Sequence, residues 1–310
     1  MTVDPRHLAY LLAIYENGSL SNAAKLLGLS QPALSNAVAL LERRLGAKVL
    51  NRNGRGVVVN EIGMILVRRS REMRSLLSGA EEEIRLKRNG QSGPLAIGAT
   101  PSVVEHLLPR ALRELQHGNS GLTISVVEGL DGSLNQLLLN GELDLVVGVV
   151  GQPFSPVELI EEVLIEDNFY LAVGPNHPLV TRESVHLNEL SDHLWVMPRP
   201  GGAAFTHVQA IFLNAGVAWP TQTISTNSFA LTRRMIGQSD AVGLVTAMTL
   251  AGWESQVRAI PMPEAGTRKV GVRQRRQAEI SPLARGFLEI LRDVAARQAR
   301  EERIPRNLIR

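Results

Sequence analysis

Apolar side chains in the first ninety residues recur in steps of three and four, the period of a helix buried on one face. Leu8, Leu11, Leu12 and Tyr15 follow Pro5 and predict a helix over about 5–16, closed by "ENGS". Ser19 is placed to cap a second helix, with Ala23, Ala24 and Leu27 on one face and a stop near Gly28. Ser30 caps a third, and Pro32 falls in its first turn, where the missing N–H has no helical partner to lose. Leu34, Val38, Leu41 and Leu45 form that helix's buried stripe, and Gly46 ends it. "KVLNRNGRGVVVN" then reads as a hairpin, with strands near Lys48–Leu50 and Val57–Val59 around an Asn- and Gly-rich turn.

From Glu61 to about Lys87 there is no proline, and Gly63 and Gly79 are the weak helix formers. Ile62, Leu66, Met73, Leu76 and Ala80 make a heptad-like seam interrupted at Arg69. A helix of roughly 27 residues would span about 40 Å. One apolar stripe with polar flanks asks for a second helix as partner. "NGQSGP" (89–94) breaks the pattern and reads as a linker.

Beyond it the pattern changes to short apolar runs separated by helical stretches. Strands are expected at 95–99, 123–127 and 143–150, with helices at about 102–117 and 132–140. Continuous apolar strands alternating with helices predict a buried parallel sheet. A second α/β unit is expected from near Asp167, with strands at 169–173, 194–197 and 241–245 and helices near 203–215 and 228–237. A strand at 268–274 follows. Ser281 and Pro282 open a last helix with Leu283, Phe287, Ile290, Leu291 and Val294 inside, and the charged tail from Ala299 is expected to fray.

Composition narrows the class. The 310 residues suffice for two or three domains with real cores, and 44% hydrophobic content is that of a globular chain. With no cysteine, disulfides, thiolate catalysis and Cys-ligated zinc are excluded. The N-terminal stretch has no basic leader with a long apolar core, and no apolar run nears the ~18 residues of a membrane helix. The longest, Leu143–Gly151, contains Asp144. A cytoplasmic protein without membrane partner, metal or cofactor is expected. Charge is uneven: residues 1–90 carry 14 Lys/Arg against 8 Asp/Glu, a net +6, and the rest carries 19 against 22, a net −3. A basic front on a mildly acidic body suits a polyanionic partner at the front.

Residues 19–45 fit a helix–turn–helix. Ala23 and Ala24 let the second helix cross closely. Its N-terminal residues Ser30, Gln31, Pro32, Ala33, Ser35 and Asn36 remain to meet DNA, with Ser21 and Lys25 beside them. Gln31 and Asn36 can each bond adenine N6 and N7, and Ser35 suits a phosphate or base edge. Arg52 and Arg55 can reach the backbone or minor groove as a wing. The same stretch resembles the N-terminal signature of LysR-type transcriptional regulators. It carries Gly18-Ser19, Ala23-Ala24, Ser30 to Ser35 as Ser-Gln-Pro-Ala-Leu-Ser, Leu41-Glu42, Leu45-Gly46 and Arg52. Leu50 departs from the family's usual Phe, and Val59–Gly63 from its Leu-Thr-x-Ala-Gly. Asn36 stands where many members carry Arg or Lys, which favours an A·T-containing half-site.

The resemblance covers essentially the whole chain. It implies a winged helix–turn–helix over 1–60 and a dimerising linker helix and hinge over 61–90. It also implies an effector-binding domain over 91–310, of two Rossmann-like subdomains resembling a periplasmic binding protein. Subdomain I would take about 91–165 and 266–310, and subdomain II about 166–265. The return of the chain near 268 is an implication of the resemblance alone. The expected function is effector-controlled, sequence-specific DNA binding by a dimer of dimers that bends DNA. Partners would be double-stranded DNA, a small-molecule effector, further copies of the chain and RNA polymerase.

The ligand cleft is expected between the two α/β units, at the carboxyl ends of their strands. In "GATPSVVEHLLP" (98–109), Thr100 and Ser102 offer hydroxyls beside a helix start, with Pro101 and Val103 next to them. Those hydroxyls can either cap the helix or contact the effector, as family members do at this spot. "RPGGAAF" (199–205), with Gly201, Gly202, Ala203 and Phe205, is placed across the cleft. Asn227 and Thr246 stand at further strand ends, and Gly129, Asp131, Gly148 and Val149 are secondary candidates. Few cations belong to these strand ends: Arg199 is one, while Arg233 and Arg234 fall within a helix. A carboxylate would then rest on helix N-termini and hydroxyls, and a neutral sugar or aromatic ligand fits equally.

Two other classes compete with this reading. A solute-binding protein would have no use for the basic front segment. An enzyme would need a signature, and there is no Gly-x-Ser-x-Gly, phosphate-binding loop or His-Glu-x-x-His. The seven histidines show no ligand spacing, His106 reads as a helix-surface residue, and Asp144 reads as structural.

Overall fold

The computed structural model describes residues 3–53, 56–88, 94–117, 121–152 and 155–301. The chain divides into two compact units, residues 1–88 with the short stretch 139–142, and the remainder. The greater part of the 89–94 linker, Arg55 and the end beyond Glu301 lie outside the described residues, as does the side chain of Arg52.

In the first unit, α1 (Pro5–Asn17), α2 (Leu20–Leu26) and α3 (Gln31–Leu45) precede an antiparallel hairpin, β1 (Leu50–Asn53) and β2 (Gly56–Val59), and then α4 (Glu61–Arg88). Local chemistry sets the boundaries. The side chains of Asp4, Ser19 and Ser30 accept hydrogen bonds from the amides of Arg6, Asn22 and Ala33. Gly46 closes α3 at φ 68°, in the left-handed region that disfavours a Cβ. The core gathers Leu11, Leu12 and Ile14 of α1, Ala23 and Ala24 of α2, and Leu34, Val38 and Leu41 of α3, with Val49 and Val67.

Three local expectations shift. Tyr15 is exposed, and α1 buries Leu11 to Ile14 instead. The hairpin begins at Leu50 rather than Lys48, because the Glu42 carboxylate accepts from Lys48 Nζ at 2.8 Å and from the Val49 and Leu50 amides at 2.9 and 3.3 Å. Leu66 of the supposed seam packs against its own unit's core, while Ile62, Ile65, Leu76, Leu77 and Ile84 of α4 are exposed. Asn60 takes the capping position before α4: its Oδ1 accepts from the Gly63 amide at 2.9 Å and its Nδ2 donates to Lys48 O at 2.9 Å. Gly63 is required there, since a Cβ would stand 2.3 Å from Val49 O.

The second unit runs β3 (Pro94–Ala99), α5 (Pro101–Glu105), α6 (Leu107–His117), β4 (Thr123–Glu128), α7 (Asp131–Leu139), β5 (Leu145–Val150) and β6 (Leu159–Val173). It continues with β7 (Trp195–Met197), α8 (Ala203–Ala215), β8 (Thr223–Ser225), α9 (Phe229–Gln238), β9 (Gly243–Thr246), α10 (Ala247–Leu250), β10 (Arg258–Ile260), β11 (Thr267–Arg275) and α11 (Pro282–Glu301). The sheet is mixed where a parallel one was expected. β3 pairs in parallel with β4 and β5, but β11 runs antiparallel between β5 and β6, and β6 is antiparallel to β9 and β10.

β6 explains the arrangement. It is one strand of 15 residues, where the apolar pattern marked only its last five. Its first part pairs with β11 in one lobe, and Phe169–Val173 pairs with β9 and β10 in the other. Leu145, Val270, Phe287 and Leu291 lie in the first lobe's core. In the second lobe, alternation along β6 sends Leu171 and Val173 to one core and Tyr170 and Ala172 to another. The helix expected over 102–117 breaks at His106. That side chain is 14% exposed rather than on a helix surface, and burial, reinforced by Arg110, pushes its pKa below the ordinary value. Among the described residues no helix is long and apolar enough to cross a membrane.

Candidate DNA-binding face and ligand cleft

Burial of Leu34, Val38 and Leu41 fixes how α3 is turned. Gln31, Pro32, Ala33 and Asn36 are exposed, and Ser35 is half-buried. Ser30 is held at the cap, its Oγ accepting from the Ala33 amide at 3.3 Å. Ser21 and Lys25 of α2 are exposed as well. The face therefore offers amide side chains that can donate and accept together, next to a long cation suited to phosphate. Lys48 has its charge balanced by Glu42. Burial raises the Glu42 pKa, but the hydrogen bonds from Lys48 and the Val49 and Leu50 amides outweigh it and hold the carboxyl below its ordinary value. The backbone of Arg52 lies in β1 opposite Val57.

In the second unit a cavity of about 110 Å³ opens between the two lobes. The first lobe contributes Thr100, Pro101, Ser102, Asp131 and Val149, and the second Gly202, Ala203, Phe205, Asn227 and Thr246. Four other expected residues are not in the lining. Val103 is fully buried in the first lobe's core. Gly148 lies under Thr100, where a Cβ would come within 2.8 Å of Thr100 Cγ2. The Gly129 amide donates to Ala99 O at 3.2 Å. Gly201 forms the turn before α8 at φ 100°.

The two hydroxyls do not cap α5. Thr100 makes no capping hydrogen bond, and its buried Oγ1 has no partner among the described residues. Ser102 Oγ accepts from Arg268 Nη2 at 2.9 Å. Arg199 lines the cavity as expected, and Arg268 is a second cation there that the sequence reading missed. Arg268 enters from the start of β11 and is 9% exposed. Asp167 Oδ2 accepts from its Nε and Nη2 at 2.9 and 2.7 Å, and Thr246 Oγ1 at 3.1 Å from Nη2. The guanidinium lies 5.8 Å from the centre of the Phe169 ring. Arg273, 1% exposed, reaches Asp131 Oδ1 and Glu161 Oε1 at 2.9 Å each and also donates to Val149 O. Burial raises the Glu161 pKa, but the Gly151 amide, Arg273 and Ser155 together lower it. Register across the strands brings Arg268 to the cleft and Arg273 behind the lining residues Asp131 and Val149, and spacing along the chain carries no sign of it. Among the described residues no cluster of His, Asp and Glu could hold a metal ion.

Comparison with known proteins matches both units. The model described as "Bacterial regulatory helix-turn-helix protein, lysR family" fits residues 5–64, and "LysR substrate binding domain" fits residues 88–296. The chain is 31% identical to the HTH-type transcriptional regulator GbpR of Rhizobium radiobacter, over 76% of this chain and 79% of that one. Among solved structures, a cysteine-to-aspartate variant of full-length OxyR from Pseudomonas aeruginosa shares the fold at TM-score 0.64, with 21% identity over 95% of each chain. Full-length CbnR, crystallised with its target DNA, gives TM-score 0.64 and 20% identity over 94% of this chain and 100% of that one. These are regulators and not enzymes, and neither an enzyme nor a solute-binding protein finds support among them. A capped helix–turn–helix with an exposed polar reading face, followed by a two-lobed α/β unit around a cleft, is thus the build of one protein class, and the chain belongs to the LysR family of DNA-binding transcriptional regulators.

Proposed function

We propose that the protein reads an operator through the first turns of α3 and is controlled by a small molecule bound between the lobes of the second unit. The supporting observation is the exposed row of Gln31, Pro32, Ala33 and Asn36 over a buried stripe of Leu34, Val38 and Leu41. In this reading Gln31, Ser35 and Asn36 meet base edges, Ser21, Ser30 and Lys25 meet phosphates, and Arg52 and Arg55 act from the wing. Residues 1–60 form the DNA-binding domain, 61–90 the linker and 91–310 the effector domain. Exposed Ile62, Leu76, Leu77 and Ile84 on α4 seat a second linker helix. Two dimers joined through their effector domains bend the DNA between two sites, in the cytoplasm, and act on RNA polymerase. An effector shifts the angle between the lobes, and with it the bend, by its differential affinity for the two states.

A gel shift of the full-length protein on the DNA upstream of its own gene, at moderate salt with competitor present, tests the reading. Sequence-preferring retardation is expected. Equal affinity for operator and competitor would sink it.

A further inference from the structure

We propose that the cleft takes an uncharged small molecule bearing a hydroxyl or carbonyl oxygen, and selects against carboxylates. This rests on reading the cleft as the effector site. The charges in its lining and directly behind it already answer one another. Arg268 is held by Asp167 at 2.9 and 2.7 Å, with the two side chains 9% and 0% exposed. Arg273 faces two carboxylates, Asp131 and Glu161, at 2.9 Å each, and Asp131 is itself in the lining. Arg268 and Arg273 together therefore face three carboxylates, and neither is left for a ligand to neutralise. An entering carboxylate would lose its water beside Asp131 and displace an existing ion pair to find a buried cation. The remaining cation of the lining, Arg199, is exposed, where an ion pair contributes little.

Neutral polar groups, in contrast, stand without partners. Thr100 Oγ1 and Trp253 Nε1 are both buried in lining residues, and neither finds a hydrogen-bond partner among the described residues. A buried donor left unpaired is costly, so a ligand oxygen that meets it adds affinity as well as orientation. The walls around them include Val149, Phe169, Phe205 and Phe229. The cavity of about 110 Å³ is somewhat smaller than the roughly 150 Å³ that holds a benzene ring.

The test compares molecules of equal heavy-atom count that differ in charge and are small enough for the cavity: acetone with acetate, and butanone with propanoate. Full-length ¹⁵N-labelled protein is titrated and the indole N–H resonances of its three tryptophans are followed, with Trp253→Phe assigning its own. Saturable movement of the Trp253 resonance by at least one neutral probe is expected, at an affinity at least tenfold above that of its acid. Thr100→Val should weaken that neutral probe at least fivefold. Acids binding as tightly as their neutral partners, reported by the same resonance, would overturn the charge selection and leave the cleft a ligand site. A Trp253 resonance moved by no probe would overturn the cleft reading together with the selection.

Discussion

Asp167 and Arg268 stand directly opposite each other on β6 and β11, and one carboxylate oxygen of Asp167 accepts from both Nε and Nη2 of the arginine. The other oxygen accepts from the Met248 amide at 3.0 Å, while the arginine also reaches Ser102 and Thr246. One buried pair thus ties α5 of the first lobe to β9 and α10 of the second.

Removing one partner of a buried pair leaves an uncompensated charge. Asp167→Asn is expected to destabilise the second unit by about 3 kcal/mol, read by urea denaturation. The double variant Asp167→Leu/Arg268→Met should lose less than Asp167→Asn alone. A single variant with unchanged midpoint would remove the pair from the account of the fold.

That pair also marks the limit of what the sequence pattern could disclose. Ser19, Ser30 and Gly46 were legible because caps and stops act within a few residues, and so was the α3 stripe. The first part of β6 was hidden by Glu161, Glu162 and Glu166, whose partners lie elsewhere in the chain or in solvent. β8 and β10 have three residues each, too few to show a period. The placement of Arg268 depends on a cross-strand register that no spacing along the chain encodes.

For the DNA face, Gln31→Ala is expected to cost about 1–3 kcal/mol on the operator and to flatten the preference for one base pair. Lys25→Ala should weaken operator and random DNA alike and reduce the salt slope by about 1. Fluorescence anisotropy across a salt series separates the two. Identical behaviour of both variants would refute their assigned roles.

Glu42 predicts a pH dependence. Its pKa is lowered in the fold, so its stabilising effect is present above the ordinary value of 4.5 and is lost as pH falls through the folded value. Glu42→Gln should destabilise the first unit by about 2 kcal/mol near neutral pH. The gap between wild type and variant should narrow progressively as pH falls below 4.5. Thermal melts across the acid-to-neutral range check this, and a gap that stays constant contradicts it.

Leu76 and Leu77 are 67% and 60% exposed on α4. Replacing both by Lys is expected to lower the assembly state, seen by sedimentation velocity, and to weaken operator binding by at least tenfold through loss of paired half-sites. An unchanged sedimentation coefficient would place the contact between copies elsewhere.

The pairing of β11 with both β5 and β6, and the burial of Phe287 and Leu291 in the first lobe, carry a consequence for biosynthesis. The helix–turn–helix is made of neighbours in sequence and can close soon after it leaves the ribosome. The first lobe must wait with one edge of β5 uncovered until the whole second lobe has been made, since β11 and α11 follow it in the chain. A message truncated before β11 would yield a reading head already folded and a sensor with an open sheet edge, a product suited to degradation rather than to regulation.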